Sequence, residues 1–107
     1  MELHEIPEAF QTKLRIAVLS ALISGKKDFN TLKEVIKATD GNLSVQLSKL
    51  EDMGYLTSSK KIVAKKTKTT YCISENGRKE FEDYVMMLEE IVKSSMGLSP
   101  DQTADKE

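Results

Sequence analysis

Residues 40–56 read DGNLSVQLSKLEDMGYL, and the way this stretch folds decides the rest. Leu43, Leu47 and Leu50 recur at steps of four and three, which places them on one side of a helix. The other side is left with Ser44, Val45, Ser48, Lys49 and Asp52, with Asn42 and Gln46 at its edges. A surface helix ordinarily fills that side with Glu and Lys, which are strong helix formers and keep it soluble. Here it carries short, mostly uncharged polar side chains. Gly54, just beyond Met53, is placed to end the helix in a left-handed cap.

Working outward, residues 8–24 carry Phe10, Leu14, Ala17, Val18, Ala21 and Leu22 at helical spacing, with Gly25 as the stop. Asp28 is a suitable N-cap for a second helix whose apolar face is Phe29, Leu32, Val35 and Ile36. That helix is expected to run to about Thr39, with Asp40-Gly41 as a tight connection to the quoted helix. After Gly54 the period changes. Tyr55–Ala64 and Thr69–Ser74 read as two strands, and Lys65–Lys68 as the basic tip of a hairpin. Ser74 caps a long helix from Glu75 to about Ser95, which Gly97 and Pro100 end.

The predicted class is mainly α with a small β-hairpin (α+β), in the order helix, helix, helix, hairpin, long helix. The second and third helices have helix-turn-helix dimensions, and a hairpin directly after them is the extra element of a winged helix. One domain over residues 1–96 is expected, including an outer helix at about 75–95, with 97–107 as a disordered tail.

A helix-turn-helix lays its second helix in the DNA major groove. That groove admits a helix whose outward side chains are short and polar enough to meet base edges. Ser44 and Ser48 suit several bases, Asn42 and Gln46 offer the paired donor and acceptor that fits adenine, and Val45 can pack on a thymine methyl. Lys49 can reach a guanine edge or a phosphate. In the hairpin, Lys60 and Lys61 on the first strand and Lys65, Lys66, Thr67 and Lys68 at the tip are the candidate phosphate or minor-groove contacts. The blander alternative is that both sets are solvated surface.

The charge distribution favours a localised binding face. The 107 residues carry a net charge of −1, so the total predicts no polyanionic partner. Yet residues 60–79 hold seven basic residues against Glu75 alone, and residues 80–107 hold eight acids against Lys93 and Lys106. Such asymmetry orients a molecule toward a polyanion.

Taken together, KLRIAVLSAL (13–22), FNTLKEVI (29–36), DGNLSVQLSKLEDMGYL (40–56) and TKTTYCISENGRKEFEDYV (67–85) resemble the small winged-helix transcriptional regulators of the MarR/ArsR-like group. The resemblance implies sequence-specific binding of double-stranded DNA as a homodimer, usually as a repressor, with the outer helices building the dimer. It implies recognition-helix roles for Asn42, Ser44, Gln46, Ser48 and Lys49 and wing roles for Lys65, Lys66 and Lys68. One departure stands out: many relatives carry Arg or His where this chain has Val45 and Gln46. No target sequence is therefore inherited.

Phe81, Tyr84, Leu88 and Ile91 recur at alternating three- and four-residue steps, joined by Val85 and Val92, past the point where a small winged helix closes its own core. The expected dimer interface is Tyr84, Leu88, Ile91 and Val92 with Phe10 and Leu14 of the first helix; folding back within one chain is the alternative. Cys72, the only cysteine, reads as a buried or half-buried structural residue rather than a redox sensor. A single Cys and a single His make a metal site improbable, and no nucleophile–base pair or phosphate loop can be assembled, so neither cofactor nor enzyme is expected. No pattern requires a small-molecule effector. IAVLSALI (16–23) is too short to cross a bilayer, and MELHEIPEAF lacks the pattern of a signal peptide, so a cytoplasmic protein without a membrane partner is expected. The competing function is a winged-helix module that binds protein within a larger complex.

Overall fold

The computed structural model describes residues 1–97. A 3₁₀ turn at Leu3–Glu5 and another at Glu8–Phe10 lead into α1 (Lys13–Ile23). There follow β1 (Lys27–Asp28), α2 (Phe29–Ile36), α3 (Asp40–Asp52), β2 (Leu56–Val63), β3 (Lys66–Ile73) and α4 (Glu75–Ser95). This is a winged helix: four helices and a three-stranded antiparallel sheet in the order β1-β3-β2. The expected tail falls mostly in residues 98–107, outside the described residues.

Side-chain caps set most boundaries, and they correct several expected ones. Thr12 is extended, and its hydroxyl accepts the Arg15 amide at 3.3 Å, so the first helix begins at Lys13 and residues 8–10 form a separate turn. Asp28 caps α2 as expected, accepting from the Thr31 amide at 2.8 Å. That helix stops at Lys37, which adopts a left-handed conformation (φ 61°), two residues before the expected end. Thr39 then caps α3 through the Asn42 amide, so Asp40 and Gly41 form the helix's first turn and are not the connection. Ser74 caps α4, and that helix has the predicted bounds.

Three of these helices meet in an aliphatic core. Val18, Leu19 and Leu22 of α1, Leu32 of α2 and Leu43, Leu47 and Leu50 of α3 are fully buried. Each such side chain contributes about 1.5–3 kcal/mol relative to exposure. Val35, expected on the buried face of α2, is exposed. A second, aromatic cluster closes the far side. Phe10 stacks on Tyr84 with centroids 4.9 Å apart and meets Tyr55 and Phe81 edge-on at 5.6 and 5.7 Å. Phe10 is therefore core within one chain, which corrects its expected place at a dimer interface; Leu14 is half-buried.

Gly77 explains how α4 gets so close. The open side of its Cα lies against the Tyr55 carbonyl, which also accepts the Ser74 amide at 2.9 Å, and a Cβ at Gly77 would collide with that backbone.

Candidate nucleic-acid interface

The register that buries Leu43, Leu47 and Leu50 turns Asn42, Ser44, Val45, Ser48 and Lys49 outward, and all five are exposed. Val45 is an apolar side chain 49% exposed in a row of hydroxyls, an arrangement with no use inside the monomer. Gln46 differs from its neighbours. It is half-buried, and its Oε1 accepts from Arg15 Nε at 2.7 Å. The paired donor and acceptor expected for adenine is therefore unavailable while this bond holds.

The hairpin is fastened to the end of α3. Gly54, with φ 81°, turns the chain out of the helix, and the Tyr55 amide reaches back to the Leu50 carbonyl at 2.9 Å. Ser58 then donates to Glu51 Oε2 at 2.7 Å, tying β2 to the last turn of α3. Burial raises the Tyr71 phenol above its ordinary value, and the nearby Glu51 carboxylate adds to the rise.

All six expected wing residues, Lys60, Lys61, Lys65, Lys66, Thr67 and Lys68, are exposed. Only Lys65 belongs to the tip. Val63 pairs with Lys66, leaving Ala64-Lys65 as a two-residue turn with both φ values positive, 52° and 66°, the type I′ pattern. No residue signal marks it, because that turn ordinarily uses Asn and Gly. Side chains alternate across the sheet, so Lys61, Lys66 and Lys68 share one face, while Lys60 shares the other with Ser58, Ile62 and Thr67. The lysines thus line both sides of the wing. Ile62 is 80% exposed, and Val63 beside it is exposed too.

Lys68 is the exception among the cations. It lies 3.3 Å from Asp28, whose backbone pairs with Thr70 as part of β1. The short β1 strand, absent from the sequence reading, brings the α2 cap beside the wing. The Thr31 hydroxyl and amide, followed by Lys68, lower the Asp28 pKa below the ordinary carboxylate value. Between Asp28–Asn30 and the residues around Lys66–Thr69 lies an open cleft. Cys72, expected to be at least half-buried, is exposed on the same face of β3, because the alternation that buries Ile73 turns its neighbour outward.

Two residues bear on the site beyond what the sequence predicts. Asp28, predicted as a cap, is one. Arg15 is the other, and a guanidinium inside the run LRIAVL is itself a signal: 5% exposed, it joins α3 to the turn at residues 8–10 by donating to Gln46 and to the Glu8 carbonyl, the latter at 2.9 Å.

Along α4 the expected stripe divides. Phe81 and Met87 are buried and Tyr84 half-buried in the chain's own fold, while Val85, Met86, Leu88, Ile91 and Val92 are exposed. Among the described residues no group of three or more His, Cys, Asp or Glu could hold a metal ion, and no helix is long and apolar enough to cross a membrane.

Comparison with known proteins matches this geometry. A family model described as a winged helix DNA-binding domain aligns with residues 14–92. An uncharacterized protein of Methanocaldococcus jannaschii is 34% identical over 87 residues, which span 79% of this chain and 94% of that protein. A transcriptional regulator homologue from Pyrococcus horikoshii OT3 shares the fold with a TM-score of 0.69 at 22% identity, over 81% of this chain and 92% of its own. Bacillus subtilis PadR, solved in complex with operator DNA, does so with a TM-score of 0.64 at 23% identity, over 88% of this chain and 64% of PadR. With the family model spanning most of its length, the chain belongs to the winged helix DNA-binding domain family.

Proposed function

We propose that this protein is a sequence-specific regulator that binds a palindromic operator in double-stranded DNA as a homodimer and represses transcription by occupying the promoter. The observation that carries the reading is the outward strip Asn42, Ser44, Val45, Ser48 and Lys49, held rigid by three buried leucines and flanked by a lysine-bearing hairpin. In this reading α3 enters the major groove and Lys60, Lys61, Lys65 and Lys66 contact phosphates, while Thr67 hydrogen-bonds the backbone and Lys68 sits against Asp28. That PadR, a protein of the same fold, has been solved in complex with operator DNA supports the DNA-binding part of the reading. Residues 1–96 act as one unit, working in the cytoplasm beside the chromosome.

The dimer part of the proposal rests on α4. Leu88 and Ile91 are 38% and 37% exposed, and with Val85, Met86 and Val92 they leave five large apolar side chains of one helix open to water. A second copy packed there pairs two α3 helices, and half-sites one helical turn apart, about 34 Å, follow from the two-fold axis. The acids Glu80, Glu82, Asp83, Glu89 and Glu90 lie on this helix, so their repulsion by DNA turns the hairpin side toward the duplex.

Anisotropy titration of a labelled duplex at several salt concentrations tests the reading. Four phosphate-bound lysines per protomer give a dimer a log–log slope of about −7. A flat salt response, or sedimentation of a monomer at tens of micromolar with and without DNA, contradicts it. The exposed Ile62 and Val63 at the wing favour one other reading, docking on a partner protein, and a chain that binds no duplex at low salt would turn the case that way.

A further inference from the structure

Gln46 occupies an unusual position among the candidate base contacts. One turn before it stands Asn42 and one turn after it Lys49, both exposed, so the three form a single ridge along α3. Gln46 alone of the three is held from below. Arg15 is a buried cation whose Nε donates to Gln46 Oε1 at 2.7 Å and whose Nη1 donates to the Glu8 carbonyl at 2.9 Å, with the Glu8 carboxylate 4.0 Å away.

The chemistry of that contact fixes the amide. A guanidinium has donors and no acceptor, so it accepts only the oxygen side of the glutamine amide as its neighbour. The NH₂ group must then face the other way. Among the described residues Nε2 has no protein hydrogen-bond partner, and no side-chain nitrogen or oxygen is both buried and unpartnered, so this group retains access to solvent. A free glutamine can turn its amide over and offer a donor beside an acceptor. This one offers donors alone.

We propose that Arg15 is a positioning residue that sets base preference: by locking the Gln46 amide it makes that position read an acceptor edge, guanine O6/N7 above all, and reject the adenine pairing that a free glutamine would make. Arg15 does not touch DNA. It acts through the residue it orients, and it links that orientation to the turn at residues 8–10, whose Phe10 packs on Tyr84 of α4. The inference rests on the DNA-binding reading above.

Selection of bound sequences from a random duplex pool, with wild type and two variants, tests it. Wild type is expected to enrich guanine, with thymine next, at one position of each half-site. Arg15→Met frees the amide, and adenine at that position should rise to within a fewfold of guanine from a deficit on the order of tenfold, with the salt slope unchanged. Gln46→Glu keeps the Arg15 contact but presents an acceptor instead of donors, and the same position should switch to cytosine, whose N4 amino group donates. Because Arg15 is buried, thermal melting checks that its variant folds; if it does not, the wild-type preference of guanine over adenine, at the position that Gln46→Glu switches to cytosine, decides.

A folded Arg15→Met that keeps the wild-type preference overturns the inference, as does Gln46→Glu still selecting guanine. Salt-dependent binding by wild type with no preferred base at any position leaves DNA binding standing and removes the inference. Absence of any binding removes both.

Discussion

The third helix and the hairpin lie side by side and present opposite chemistries. The outward residues of α3 are short and mostly neutral, and the helix is anchored by three leucines that no solvent reaches. The hairpin is long and cationic, with β2 exposed beyond Leu56, and it is held at its base through Ser58 and Glu51 and along β3 by the short β1 strand. A rigid, neutral element suits reading base edges, where geometry decides. A projecting, charged one suits phosphates, where attraction falls slowly with distance and tolerates motion. In the proposed function, specificity and affinity fall to different elements, and the division can be broken from either side.

The largest effect should come from the hairpin. Changing Lys60, Lys61, Lys65 and Lys66 together to Gln removes four charges per protomer, and the salt slope should fall from about −7 toward zero. Affinity should drop at least 100-fold on every duplex at low salt, measured by anisotropy. Lys68→Gln should cost less than any one of the four, because its charge is already partly neutralised by Asp28.

Uncoupling the two copies of α3 comes next. Met86→Glu with Val92→Glu places charges at side chains that the monomer leaves more than half exposed, so the fold should melt within about 1 kcal/mol of wild type. Sedimentation should show a monomer, and operator affinity should fall by a factor on the order of 100 through loss of the second half-site.

Breaking the comparison from the α3 side should be milder and selective. Ser44→Ala with Ser48→Ala removes hydroxyls but no charge. Operator binding should weaken by about 1–3 kcal/mol, while binding to random duplex and the salt slope stay as they were. Equal losses on both duplexes would erase the distinction between the two elements.

The smallest effect sharpens the comparison through stability. The Asp28 carboxylate is favoured in its charged form by the fold, so its contribution is present above its ordinary value of 3.8 and is lost as pH falls through the lowered folded value. Asp28→Asn should therefore melt below wild type at pH 7, by about 1 kcal/mol or less, and the gap should close below pH 3, measured by thermal denaturation.

The sequence disclosed the order of elements because each boundary carries a local signal. Asp28, Ser74 and Gly54 act at the positions where their side chains or backbone freedom predict, and the Leu43–Leu47–Leu50 spacing alone fixes which face of α3 is outward. What stayed hidden depends on contacts between distant residues. A two-residue strand at Lys27–Asp28 exists only because β3 lies beside it, and a turn built on Ala64 and Lys65 lacks the residues that would advertise it. Phe10 has the look of an interface residue until Tyr55, Phe81 and Tyr84 close around it. Arg15 and Gln46 are 31 positions apart, and nothing in either neighbourhood announces the other. Spacing reveals which residues face outward; it does not reveal which of them are already engaged.

Backbone amide chemical shifts on adding a short duplex at low salt show whether α3 and the wing form the surface that meets DNA. The largest changes are expected at residues 42–49 and 60–68, and little change at residues 85–92 of α4. Changes centred on α4 with residues 42–49 unmoved would contradict that reading.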